Sequence, residues 1–115
     1  MGKSRINYNI NLTLTYGEII MKVENMTSNN GNKIANQFII TDDYENTYFQ
    51  SYDSVIVKIG NKTMGTNPIY LDKTFWDYSV TTGKYRNIFL NETKKETQKK
   101  IDNGTYKLTN LNEGN

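Results

Sequence analysis

Ile6, Tyr8, Ile10, Leu12, Leu14 and Tyr16 alternate with Asn7, Asn9, Asn11, Thr13 and Thr15 across eleven positions. A period of two fits a strand with one apolar and one polar face, and no helix can gather those residues on one side. The chain must therefore build a sheet, and its remaining segments are read against that requirement. Gly17 ends the alternation. The segment 18–26 then carries both periods, since Ile19, Met21 and Val23 alternate while Ile19, Val23 and Met26 fall on one helical face; strand is the preferred reading.

The pair Asn30-Gly31 supplies the positive φ angles of a tight hairpin, so the segments on either side should be antiparallel neighbours. Ile34 to Thr41 reads as a strand, Asp42 to Asn46 as a polar turn, and Thr47 to Ser51 as the returning strand. Ser54 to Ile59 is mostly apolar, which predicts an interior strand covered on both faces. Ile69 to Leu71 is a further short strand.

Helical signals begin near Ser79, with Thr81 or Thr82 available as a cap and Tyr85, Ile88 and Phe89 spaced as one buried stripe. Asn91 and Glu92 separate this helix from a second one. There Thr93 and Glu96 match a capping box, Glu96 and Lys100 are spaced for an ion pair, and Gly104 marks the exit. Thr105 to Leu111 alternates again. The expected fold is α+β: one domain over residues 1–115, an antiparallel sheet of about five to six strands, and two short C-terminal helices.

Composition narrows the chemistry. The chain has neither Cys nor His, so disulfides, thiolate sites and imidazole catalysis are excluded, and zinc loses its usual ligands. Neither an enzyme nor a cofactor is expected. No apolar run reaches the roughly 18 residues of a membrane span, and the N-terminus lacks the features of a secretory signal. A soluble protein of the host cytoplasm, without a membrane partner, is the reading that follows.

The formal charge is only +2, but it is unevenly spread. Between 84 and 107, Lys84, Arg86, Lys94, Lys95, Lys99, Lys100 and Lys107 face three acidic residues, whereas the rest of the chain holds seven positive and nine negative charges. Lys84, Arg86, Lys94, Lys95, Lys99 and Lys100 are the candidate basic binding face. Such lysines can track phosphates or simply solvate a surface helix. Asp42, Asp43 and Glu45 form a weaker acidic candidate on a hairpin; they lack the ligand spacing of a calcium loop, and an ordinary polar turn accounts for them. Phe75-Trp76-Asp77-Tyr78 suits either a stacking platform or, as the preferred reading, a core corner with buried rings. The paired helices do not make a helix-turn-helix, because the second offers only Ile101 as an apolar anchor.

The blocks FIITDDYENTYFQSYDSVIVKI (Phe38 to Ile59) and YLDKTFWDYSVTTGKYRNIFL (Tyr70 to Leu90) resemble a family of small proteins of unknown function. Its members are encoded by bacteriophages, prophages and low-GC Firmicutes, and YFQSYDS and WDYSVTT are the distinctive stretches. The resemblance implies a mobile-element setting and carries no catalytic residue. Small size, missing catalytic side chains and the basic segment then give the expected function. This is a non-enzymatic phage accessory that binds a host protein or ribonucleoprotein complex of the defence machinery and inhibits it, as an anti-CRISPR protein does. The alternative is a small nucleic-acid-binding accessory or regulator of a phage. The sequence sets no oligomeric state.

Overall fold

The computed structural model describes residues 12–16 and 19–112. Most of the alternating run Ile6 to Tyr16, and with it the expected shared burial of Ile6, Tyr8 and Ile10, lies outside the described residues. Within them the chain forms β1 (Leu12–Tyr16), β2 (Ile19–Thr27), β3 (Lys33–Asp42), β4 (Thr47–Ser51), β5 (Ser54–Ile59), β6 (Ile69–Asp72), α1 (Val80–Leu90), α2 (Lys94–Asp102) and β7 (Tyr106–Thr109). The fold is α+β. The ambiguous segment 18–26 contributes β2 and the alternating segment 105–111 contributes β7, so the sheet has seven strands among the described residues.

Strands β1 to β6 form an antiparallel meander in chain order, and β7 adds beside β6 in parallel. A parallel neighbour needs a crossover, and the two helices supply it. The β2–β3 hairpin turns at Gly31, whose φ of 82° is left-handed as expected, but Asn30 does not share that conformation: the Gly31 amide donates to the Ser28 carbonyl and the Ser28 amide to the Asn32 carbonyl, so the loop is longer than a two-residue turn. A bulge separates Phe49↔Val57 from Gln50↔Val55, so β5 carries one extra residue against β4.

Helix α1 packs on the side of the sheet to which Phe49 and Ser51 project. Phe49 stacks on Phe89 with ring centroids 5.6 Å apart, and the Ser51 and Thr82 hydroxyls share a 3.0 Å hydrogen bond. Phe49, Val57 and Leu71 stand opposite one another across β4, β5 and β6, and with Ile56 they are fully buried. Removing each such side chain from water contributes roughly 1.5–3 kcal/mol. Tyr85, Phe89, Leu90 and Ile101 close this core from the helical layer.

The other face differs from what the apolar run of β5 predicted. Lys58 belongs to it, and among the described residues no helix packs there. The strand is interior in the sheet but covered on one face only. Asp72, fully buried, ties the far end together: its Oδ2 accepts from the Thr74 and Phe75 amides, and its Oδ1 from the Leu111 amide at 2.7 Å and from Asn112 Nδ2.

Candidate functional site

The expected basic face divides once the helices are in place. Arg86 leaves it altogether: its side chain is 1% exposed, a correction to its assignment as a surface contact. Its Nη1 donates to the Trp76 carbonyl at 2.6 Å and to Asp77 Oδ1 at 3.3 Å, while Nη2 donates to Asn87 Oδ1 at 2.9 Å. The guanidinium also lies 5.1 Å from the centroid of the half-buried Trp76 ring. A planar fork with several donors can hold a backbone corner in a way a flexible ammonium cannot. Arg86 is thus the post around which the chain turns into α1.

Two lysines of the candidate face are neutralised within the molecule. Lys94 pairs with Asp77 at 2.7 Å, and Lys100 with Glu92 at 2.6 Å. Lys100 does not reach Glu96 as its spacing suggested, because Glu96 is committed to the cap of α2. Its carboxylate accepts from the Thr93 amide at 2.8 Å while the Thr93 hydroxyl accepts from the Glu96 amide. Glu92 also receives Thr97 Oγ1 at 2.6 Å and the Tyr106 hydroxyl at 2.9 Å. Burial pushes the Glu92 carboxyl up, but the donors Lys100, Thr97 and Tyr106 outweigh it and leave it below the usual range. Asp77 is lowered likewise, burial being overcome by Lys94 and Arg86.

Lys84, Lys95 and Lys99 remain as outward cations. Among the described residues none of the three has an ion pair; Lys84 lies 5.3 Å from the Tyr85 ring. The acidic hairpin is also reorganised. Asp42 is buried and takes the Tyr44 and Asn46 amides on Oδ1, and Asn46 Nδ2 and the Tyr48 hydroxyl on Oδ2, all within 2.9–3.1 Å. Burial pushes this carboxyl up, but the bonds from Asn46, Tyr44 and Tyr48 outweigh it and leave it lowered. Asp43 and Glu45 stay exposed at the tip. Among the described residues no group of three or more carboxylates could hold a metal ion.

Tyr78 and Ile88, expected inside, are instead found outside, the first just before α1 and the second on it. Tyr78 is 50% and Ile88 56% exposed, and Val80, in the first turn, is 92% exposed. The cap is Ser79, whose hydroxyl accepts from the Thr82 amide at 3.1 Å, rather than either threonine. Because capping begins at Ser79, Val80, Lys84 and Ile88 lie four residues apart on one side of the helix, with Thr82, Arg86 and Phe89 turned to the sheet. Tyr78, Val80, Lys84 and Lys94 line an open depression of about 680 Å³. Val80 was the signal overlooked: a β-branched residue in a first turn, outside the buried stripe.

The open sheet face was missed as well. Val23, Ile40, Tyr48, Lys58, Tyr70 and Lys107 are register partners in one row from β2 to β7. The clue in the sequence was Lys58 itself, a charge interrupting an apolar run.

Among the described residues no helix is long and apolar enough to cross a membrane. Compared with known proteins, residues 21–104 match the model of a family described as a family of unknown function (DUF8033). No curated protein and no solved structure matches the chain.

Proposed function

Because the chain belongs to the family of unknown function DUF8033, which brings no activity with it, we propose its function from the surface: a non-enzymatic binding protein. In this reading it is a phage or mobile-element accessory that docks on a host defence complex in the host cytoplasm and inhibits it sterically, in the manner of an anti-CRISPR protein. The observation that carries the binding mode is the outward side of α1 and the residue before its cap, where Tyr78, Val80 and Ile88 expose apolar surface beside Lys84. A helix with apolar residues on both sides has a second face to cover, and aromatic and aliphatic side chains rimmed by charge are the usual anchors of a protein interface. The setting draws its support from the resemblance of the YFQSYDS and WDYSVTT blocks to phage proteins.

The absence of catalysis is supported by how the carboxylates are used. Asp42, Asp72, Asp77 and Glu92 each accept several internal hydrogen bonds, and three of them are held ionised below their ordinary range, unsuited to donate a proton near neutrality. The alternative of phosphate tracking by α2 is weakened by the pairing of Lys94 and Lys100 with Asp77 and Glu92.

The test is capture from a host lysate by the tagged full chain, with nuclease treatment, beside the double variant Val80→Ser/Ile88→Ser. Both positions are exposed, so each change should cost within about 0.5 kcal/mol. The expected result is one protein complex retained through nuclease and lost in the folded double variant. Equal capture by both proteins, or loss of all capture on nuclease treatment, would overturn the reading.

A further inference from the structure

We infer that the open face of the sheet is a binding surface for single-stranded nucleic acid. The face lies opposite the helices, so this inference stands apart from the interface proposed on α1. Its centre is the row Tyr48, Lys58, Tyr70 and Lys107, carried by β4, β5, β6 and β7 as successive register partners. The Lys58 ammonium sits between the two rings, 5.9 Å from the Tyr48 centroid and 5.8 Å from that of Tyr70. Tyr48 and Tyr70 are two strand spacings apart, roughly 10 Å. Phe38 and Ile40 continue the same face on β3.

Charge decides what fits. Among the described residues neither Lys58 nor Lys107 is ion-paired. The carboxylate beside them on that face, Asp42, is saturated by four internal donors, one of which is the Tyr48 hydroxyl. The row therefore offers aromatic faces beside two ammonium groups that have no ion pair among the described residues, while the carboxylates on the same face, Asp42 and Asp72, have their oxygens occupied by internal donors. Unpaired bases stack on rings of this kind without sequence preference, and the neighbouring ammonium groups meet the phosphates. A duplex keeps its base faces inside the helix and cannot use the rings. A second copy of the chain would bring the same lysines against each other, and like charges placed opposite repel.

The experiment uses the full chain and fluorescein-labelled oligothymidylate, oligouridylate and a DNA duplex, each of roughly twelve nucleotides or base pairs. Anisotropy is read at about 50 mM and about 200 mM salt. One or both single strands should bind more tightly than the duplex, and comparison of the two strands assigns RNA or DNA as the source. Lys58→Gln/Lys107→Gln should weaken binding about tenfold and lower the salt slope by about 1.4, near 0.7 for each lost phosphate contact. Tyr70→Leu, which keeps apolar mass on β6 and so guards against a misfolded Tyr70→Ala, should weaken it about fivefold through lost stacking. Val80→Ser/Ile88→Ser should bind like the parent. Failure of both single strands to bind, equal binding of duplex, or unchanged affinity in the lysine and Tyr70 variants would overturn the inference. So would sedimentation showing a dimer that the lysine variant dissolves, since the occupant would then be another copy.

Discussion

Buried polar side chains carry much of this molecule's character, and they differ in how well they are satisfied. Glu92 joins the interhelical turn, α2 and β7 through Thr97, Lys100 and Tyr106. Its lowered pKa has a defined consequence. An unfolded chain takes up the Glu92 proton near the ordinary value of 4.5, the folded one only further down, so acidification through that window favours unfolding. Urea melts from about pH 7 to about pH 3 should show stability constant at first and falling below the ordinary carboxylate range, with a shallower acid limb in Glu92→Gln. Gln37 is the opposite case. It is fully buried, and neither atom of its amide has a hydrogen-bond partner among the described residues. Gln37→Met removes an unsatisfied amide at nearly constant volume and should raise stability by about 1 kcal/mol, read as a higher melting temperature. Neither role was legible in the sequence. Glu92 looked like a linker residue and Gln37 like one position in a strand, because burial and partners arise only when distant strands meet. Arg86 misled for the same reason: a charge is by default placed outside, and only the fold supplies the carbonyl, carboxylate and amide that make its burial tolerable.

At the level of elements, local rules were read well. Thr93 and Glu96 do form the reciprocal cap, and Gly104 has a φ of 84° beyond the end of α2. Thr93→Ala should cost about 1 kcal/mol and speed amide exchange in the first turn of α2 while leaving β4 and β5 protected. Exchange that accelerates equally everywhere would mean the cap is coupled to the whole fold rather than to its helix. Replacing Lys94, Lys95, Lys99 and Lys100 together would also remove the ion pairs of Lys94 with Asp77 and of Lys100 with Glu92. What escaped the sequence at this scale was registration. Alternation reveals that a strand has two faces, but which face the helices cover depends on α1 meeting Phe49 and Ser51. The alignment of Tyr48, Lys58, Tyr70 and Lys107 required knowing the pairing of four strands, including the bulge at Phe49/Gln50 and the parallel step to β7.

For the molecule as a whole, the segment after β7 is a strap. Asn112 accepts the Val55 amide at 2.8 Å and returns a bond to the Val55 carbonyl at 3.0 Å, standing in for a strand residue beside β5. With Leu111 it also satisfies Asp72, which is buried and has no ion pair among the described residues. Ending the chain at Asn110 should therefore cost roughly 3 kcal/mol, since a buried carboxylate loses two donors and a backbone pair is left open. Chemical denaturation of the truncated protein would measure it, and an unchanged midpoint would show that the strap is dispensable. The parallel placement of β7 bears on manufacture too. Among the described residues β2 to β6 each pair with the strand made just before them, so a nascent chain can assemble the sheet progressively as it leaves the ribosome. The last strand alone must wait for both helices, and until then β6 presents a bare edge on which another chain could add. Of the described strands, β6 waits longest in the chain for its next partner, from Asp72 until Thr109 completes β7.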